Sequence, residues 1–264
     1  MQAWYRGRWE AKSSMHTPTV HTRIGLIIPS SNRLTEAHMQ RYAPAGVAAH
    51  VTRLRMTGPH HVPLGELMPR IVEATLALDD AGCGAIVFHC TASSMEAGLA
   101  GDEQVLAAMR SATDAVTATT ATAALAALNA LELRKIALLS PYIATTHQHE
   151  IDFLTEAGHQ VVGGKCLGLR GGDEYVTVTP AQWLRLAVTN TPREADGVFL
   201  SCTNIHAPEV VQELETVLDK PVVTSNQAVL WYVLRRLGIE DDVPQLGRLF
   251  GIRRLEPAVA GRTA

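Results

Sequence analysis

Cys90 and Cys202 are the residues whose type and setting most suggest chemistry. Each closes a short apolar run, AIVFHC and GVFLSC, and each is followed by threonine, Thr91 and Thr203. A cysteine between a strand and a helical segment lies near free backbone amides and the positive end of the helix dipole. Both favour thiolate over thiol. An ordinary thiol titrates near pH 8.5, so a modest downward shift would supply a nucleophile or base at neutral pH. A lone cysteine at a strand end is more often a small buried hydrophobe. Cys83 and Cys166 are read that way. The four cysteines contain no CxxC pair, which argues against zinc-finger spacing.

The elements that must carry the two thiols repeat. IGLII at 24–28 precedes Pro29-Ser30-Ser31-Asn32, and IALLS at 136–140 precedes Pro141-Tyr142. Pro29 to Cys90 and Pro141 to Cys202 span equal lengths. Ala45-Gly46 recurs as Ala157-Gly158 in the same register. β-branched runs alternating with helical segments argue for parallel βαβ units with helices on both faces, and self-similarity argues for duplication. The expected architecture is α/β, with two pseudo-symmetric lobes over 23–133 and 134–248, each an open parallel sheet. Residues 1–22 are expected to be a flexible extension and 249–264 a tail, with a helix near 226–237 packing back on the first lobe. The Ala-rich stretch 118–131 reads as a buried helix. Ligands of open α/β sheets bind beyond the carboxyl ends of the strands. Facing lobes would therefore bring Cys90 and Cys202 to opposite sides of one cleft, with Asn32 and Tyr142 from the other landmark loops.

Other chemistries find little support. The 264 residues are 47% hydrophobic and 19% charged, as in globular proteins generally. A net charge of −3 and 5% aromatic content argue against nucleic acid or an anionic membrane as partner. The first 23 residues lack the apolar core of a secretory signal, so a cytoplasmic location with reduced thiols is expected. Of eleven histidines, His147 and His149 are two apart in a helical segment and diverge. His60-His61 has no carboxylate nearby, and no metal is expected. His89 should point away from the Cys90 side chain into the core, while His206 could tune its neighbouring thiol. Ser30, Ser31 and Ser93 lack a GxSxG elbow and read as turn or capping residues. Neither GxGxxG nor a Walker sequence is present.

GLIIPSSN, VFHCTASSMEAG, ATTATAALAALNAL, KIALLSPYIATT, GVFLSCTN, PVVTSNQA and GRLF, in this order and spacing, resemble the aspartate/glutamate racemase superfamily. They are most similar to its branch of maleate cis–trans isomerases and arylmalonate decarboxylases. The resemblance runs from about residue 23 to 250. It implies two flavodoxin-like lobes, an interlobe active site, a small carboxylate or dicarboxylate substrate, a homo-oligomer, and neither metal nor organic cofactor. By position, Cys90 matches the thiol that attacks the alkene, or one of two racemase bases. Cys202 matches the thiol that moves a proton on the opposite face. Asn32 and Tyr142 match positions that hold the substrate carboxylate. The donors around Thr91, Thr203 and Asn204 resemble an oxyanion pocket, and such donors stabilise charge that builds on carboxylate oxygens. Arylmalonate decarboxylases of this branch keep only the second-lobe thiol, so two thiols favour an isomerase or racemase. Decarboxylation and a non-catalytic two-lobe carboxylate binder are the alternatives. The chain departs from maleate isomerases in two places. Thr-Ala-Ser-Ser follows Cys90 in place of an aliphatic cluster, and Leu169-Arg170-Gly171-Gly172 stands where a substrate-binding asparagine is usual, with Arg170 as a possible substitute.

Overall fold

The computed structural model describes residues 20–56 and 62–255. The first sheet is built from β1 (Thr22–Pro29), β2 (Val47–Leu54), β3 (Ala85–Phe88) and β4 (Val116–Thr119). Its helices are α1 (Thr35–Tyr42), α2 (Leu64–Asp80), α3 (Thr91–Met95), α4 (Gly98–Arg110) and α5 (Thr120–Ala130). The second sheet holds β5 (Lys135–Ser140), β6 (Gln160–Cys166), β7 (Gly197–Leu200) and β8 (Val222–Thr224). With it go α6 (Ala144–Glu156), α7 (Gly172–Tyr175), α8 (Pro180–Asn190), α9 (Val211–Leu218) and α10 (Ser225–Arg236).

Both sheets are fully parallel, and their strand orders correspond: β2-β1-β3-β4 and β6-β5-β7-β8. The central strands are buried along almost their whole length, because helices cover both faces and leave no polar side. The repeated glycines have matching conformations, with φ of 86° at Gly46 and 87° at Gly158. Each turns the chain into the second strand of its sheet with a left-handed φ that costs glycine little. The Ala-rich stretch divides differently from expectation. Val116–Thr119 pairs with β3 as strand, and the helix begins only at Thr120. Thr119 ends the ladder and caps the helix by accepting the Thr122 N–H, a role suited to its hydroxyl.

The apolar interior does not stop at the lobe boundary. One cluster joins Ile24, Leu26 and Val87 of the first sheet to Leu138, Phe199 and Val223 of the second. Between them lie α5 and α10, packed on each other. α10 also touches α1 and β4, so this helix follows the second sheet in sequence and packs largely with the first. Trp231 and Arg235 donate to the Ile252 carbonyl at 2.9 Å, and Arg235 also reaches the Phe250 carbonyl. These bonds hold 249–255 against α10. The expected N-terminal extension lies almost wholly outside the described residues, as do His60 and His61. Among the described residues no helix is long and apolar enough to cross a membrane.

Candidate active site

Strands β1, β3, β5 and β7 all end at the interlobe cleft, where their following loops line a pocket of about 100 Å³. Asn32, Cys90, Thr91, Tyr142, Cys202, Thr203 and Asn204 all lie in its wall. The topology accounts for the meeting. In each lobe the first and third strands are neighbours, so their carboxyl-end loops share one rim. Met56, Ile143, Leu169 and Tyr175 add an apolar flank. The 169–172 loop does reach the pocket, but Arg170 is exposed and its backbone N–H donates to Glu174 at 2.8 Å.

Cys90 is the N-cap residue of α3. Its sulfur approaches the Ser93 hydroxyl at 3.4 Å and also receives the Ser93 N–H. Ser93 thus holds a thiol, where the sequence suggested a turn or capping residue. Cys202 accepts the Asn204 N–H at 3.3 Å and is also hydrogen-bonded by the Tyr142 hydroxyl. These donors pull both thiols toward ionisation, as the sequence led us to expect, yet burial outweighs them. The Cys90 pKa is raised, and that of Cys202 is pushed up to about 12. The expected net stabilisation of thiolate is therefore corrected. Closing the lobes removes the water that would solvate the anion, and the Cys90 sulfur further raises that of Cys202. At neutral pH, Cys202 therefore holds its proton.

Cys202 is also conformationally unusual, with φ of 149°. A non-glycine residue held there costs of order 1–3 kcal/mol and persists only when its surroundings over-determine it. The surroundings do so. The Cys202 N–H donates to the Ser225 hydroxyl at 3.1 Å. The next carbonyl, of Thr203, accepts from Thr35 Oγ1 at 3.2 Å, Asn226 Nδ2 at 3.0 Å and Asn32 Nδ2 at 3.3 Å. Asn32 donates to the Thr203 hydroxyl as well, at 3.0 Å, while its own oxygen caps α1 by accepting from Leu34 and Thr35 N–H groups. The Asn32 side chain is thus a strut between lobes. Its long bond to the Thr203 carbonyl is the one that could turn to a ligand, since that carbonyl keeps two other donors.

Two groups escaped the sequence reading, Glu150 and the Glu209–His38 pair. Glu150, on α6, is fully buried and accepts from Ser201, the residue before Cys202. Its Oε2 has no hydrogen-bond partner, and burial pushes its pKa up to about 8. Its presence raises the pKa of both thiols and of Tyr142. His89 does point away from Cys90. It bonds Thr120 at 3.0 Å and Asn226 at 2.8 Å, and burial lowers its pKa to about 4, so the ring is neutral. His206 pairs with Glu209 at 2.9 Å, and Glu209 also meets His38 at 3.0 Å. This trio crosses the lobe boundary within 4.8 Å. The Asn226 amide donates to His38 Nδ1 at 2.7 Å, which leaves the ring proton on Nε2, facing Glu209. The trio is thereby a hydrogen-bonded clasp between lobes.

The sequence profile described as arylmalonate decarboxylase matches residues 24–250, which spans both lobes and every strand end at the pocket. The chain belongs to the arylmalonate decarboxylase family. Among its relatives, a maleate isomerase of Geobacillus stearothermophilus is 26% identical over 246 residues, covering 87% of this chain and 97% of that one. An arylmalonate decarboxylase of Bordetella bronchiseptica is 29% identical over 237 residues, covering 89% and 97%. In fold, the chain is similar to a Nocardia farcinica maleate cis–trans isomerase, solved as a cysteine-to-serine mutant with a covalently bound succinylcysteine intermediate. The TM-score is 0.80 at 24% identity, over 87% of this chain and 98% of that one. Family membership thus agrees with the branch that the motifs suggested, and the two-sheet architecture agrees with its fold.

Proposed function

We propose that this chain is a cofactor-independent isomerase of a small unsaturated dicarboxylate or related carboxylate, working through Cys90 and Cys202. The observation that carries this reading is the pair of thiols on facing loops of one pocket, each from the corresponding strand end of its lobe. Two thiols suit isomerisation, whereas the decarboxylases of this branch keep only the second. The succinylcysteine reported for the Nocardia enzyme is the kind of adduct such a site would form.

In the proposed reaction, Cys90 loses its proton to solvent as substrate enters and regains one from solvent when product leaves; in between, its thiolate adds to one alkene carbon, forming a C–S bond and breaking the π bond. Cys202 delivers its proton to the adjacent carbon, a role suited to a thiol that holds its proton up to about pH 12. The carbon–carbon bond is now single and rotates. Cys202 then takes back the proton, the C–S bond breaks, and the trans alkene leaves with no net change in protons. Charge moving toward a carboxylate during addition would be met by the Thr91, Thr203 and Asn204 donors, by Tyr142, and by the Asn32 hydrogen released from Thr203. A cytoplasmic setting suits the four free cysteines.

The test is a screen of maleate, substituted malonates and 2-substituted acids against wild type, Cys90→Ala and Cys202→Ala. Isomerisation of an alkene lost in both variants is the expected result. Turnover surviving in Cys90→Ala, with carbon dioxide evolved from a malonate, would overturn the reading in favour of single-thiol decarboxylation. Deuterium incorporated at a carbon beside a carboxylate of a saturated acid would identify racemisation instead.

A further inference from the structure

Ser225 and Asn226 open α10, are almost fully buried, and line none of the pocket. Each nevertheless touches both thiol loops. The Ser225 oxygen accepts the Thr91 hydroxyl at 2.9 Å and the Cys202 N–H at 3.1 Å. Asn226 accepts the His89 Nε2 proton at 2.8 Å and donates to the Thr203 carbonyl at 3.0 Å. His89 and Thr91 flank Cys90, and Thr203 follows Cys202. Two adjacent side chains therefore grip the immediate chain neighbours of both sulfurs.

The proton directions are determined. The Thr203 carbonyl can only accept, so the Asn226 amide nitrogen faces it and the amide oxygen faces His89. His89 then donates from Nε2, and its Nδ1 accepts the Thr120 hydroxyl. The matching turn of the first lobe lacks this arrangement: Ala121 has no polar side chain, and Thr120 reaches only its own lobe's His89 and Phe88. The bridging pair is confined to α10, the helix that leaves the second sheet and packs with the first.

We infer that Ser225 and Asn226 are positioning residues that fix the separation of the two thiols and hold Cys202 in its left-handed conformation. The inference rests on the two-thiol reading for its catalytic meaning and on the hydrogen bonds alone for its structural one. Neither residue touches substrate. They act by keeping the Cys90 and Cys202 loops in one frame, where a misplacement of ~1 Å costs about a hundredfold in rate.

The experiment compares Ser225→Ala, Asn226→Ala and Gln227→Ala. Gln227 serves as the control, because it sits in the same buried turn but bonds the Val222 and Leu246 carbonyls, away from both thiols. Two readouts are taken. The first is kcat and KM on the substrate that the screen identifies. The second is the iodoacetamide alkylation rate of Cys202 relative to Cys83, measured by peptide mass spectrometry. Cys83 lies in another part of the core and reports general opening. For Ser225→Ala and Asn226→Ala, kcat should fall by about 30- to 100-fold with little change in KM, as displaced reacting groups predict. As the Cys202 loop relaxes toward water, its alkylation should rise several-fold over that of Cys83. Gln227→Ala should lower Tm and leave that ratio unchanged. Ser225→Ala removes a single oxygen, so it remains decisive if Asn226→Ala does not fold. A wild-type alkylation ratio in both variants, or the same ratio change in Gln227→Ala, overturns the inference. If wild type turns over none of the screened acids, the functional reading fails, while the alkylation ratio still decides the positioning role.

Discussion

Glu150→Gln is the substitution whose effect can be worked most fully from the structure. Glu150 is 0% exposed, takes one hydrogen bond from Ser201, and has an unpartnered Oε2. An ionised carboxylate there would lack water, and the one imidazole near it, His147 at 4.0 Å from Oε2, is itself held toward its neutral form by burial, so the Glu150 pKa rises from 4.5 to about 8. Below 4.5 the folded and unfolded chains both carry the proton, and this group makes stability independent of pH. Above 4.5 the unfolded chain releases its proton first while the folded one retains it. Stability therefore falls as pH rises, until the folded group ionises near 8. At 1.36 kcal/mol per unit the full effect approaches about 5 kcal/mol, of which roughly 4 lies between pH 5 and 8.5. Glutamine keeps the shape and the acceptor for Ser201 but never ionises. Urea unfolding of both proteins at pH 5, 6, 7 and 8.5 measures the difference, with the slope m serving as a check on the two-state assumption. The other buried titrating groups, His89 and Asp102 among them, are common to both proteins and cancel. Wild type should lose several kcal/mol relative to Glu150→Gln across this range. A difference constant to within about 0.5 kcal/mol would refute the idea that a neutral carboxylic acid is buried behind the thiols. Because the ionised group raises both thiol pKa values, Glu150→Gln should also speed Cys90 alkylation above pH 8.

Three further outcomes follow. The Cys202 pKa near 12 implies alkylation by iodoacetamide that climbs about tenfold per pH unit from 8 to 10 without a plateau, the slope expected of a minor thiolate; a plateau below pH 9 would contradict it. His89, lowered from 6.5 to about 4, remains neutral when folded while the unfolded chain protonates, so its contribution is present above pH 6.5 and lost as pH falls toward 4. Acid titration of wild type against His89→Gln should show that slope only in wild type. Gly164 has φ of 132°, and a Cβ there would lie 1.8 Å from the Leu138 carbonyl oxygen; Gly164→Ala should cost about 3 kcal/mol or more by urea unfolding, through strain and a backbone clash.

What could be read in the sequence, and what could not, divides along the range of the interactions involved. The two sheets were legible because the 24–28 and 136–140 runs, the Ala-Gly pairs and the cysteines are local features repeated in register. Pro29, Gly46 and Cys90 find their counterparts at corresponding positions in the second sheet. The members of the pocket were legible for the same reason: strand ends determine which loops meet. The end of β4 was misjudged at 118–119 because alanine-rich strand and helix look alike over a few residues, and only pairing with β3 decided between them. The protonation of the site was hidden in another way. Local amides around Cys90 and Cys202 favour thiolates, as their positions suggest, but burial reverses the result, and burial exists only once the lobes have closed. Glu150 follows His147-Gln148-His149 in a polar helical segment, and only packing shows its carboxyl turned inward.

The bonds that hold the pocket together span long stretches of the chain. Asn32 to Thr203 crosses 171 residues, His89 to Asn226 crosses 137, and Thr91 to Ser225 crosses 134. The T-x-x-Q capping box of 224–227 does mark where α10 begins. What it does not reveal is that the two residues inside the box reach both thiol loops. The strained φ at Cys202 and the raised thiol pKa values thus share one origin, since both belong to the closed pair of lobes and to neither alone.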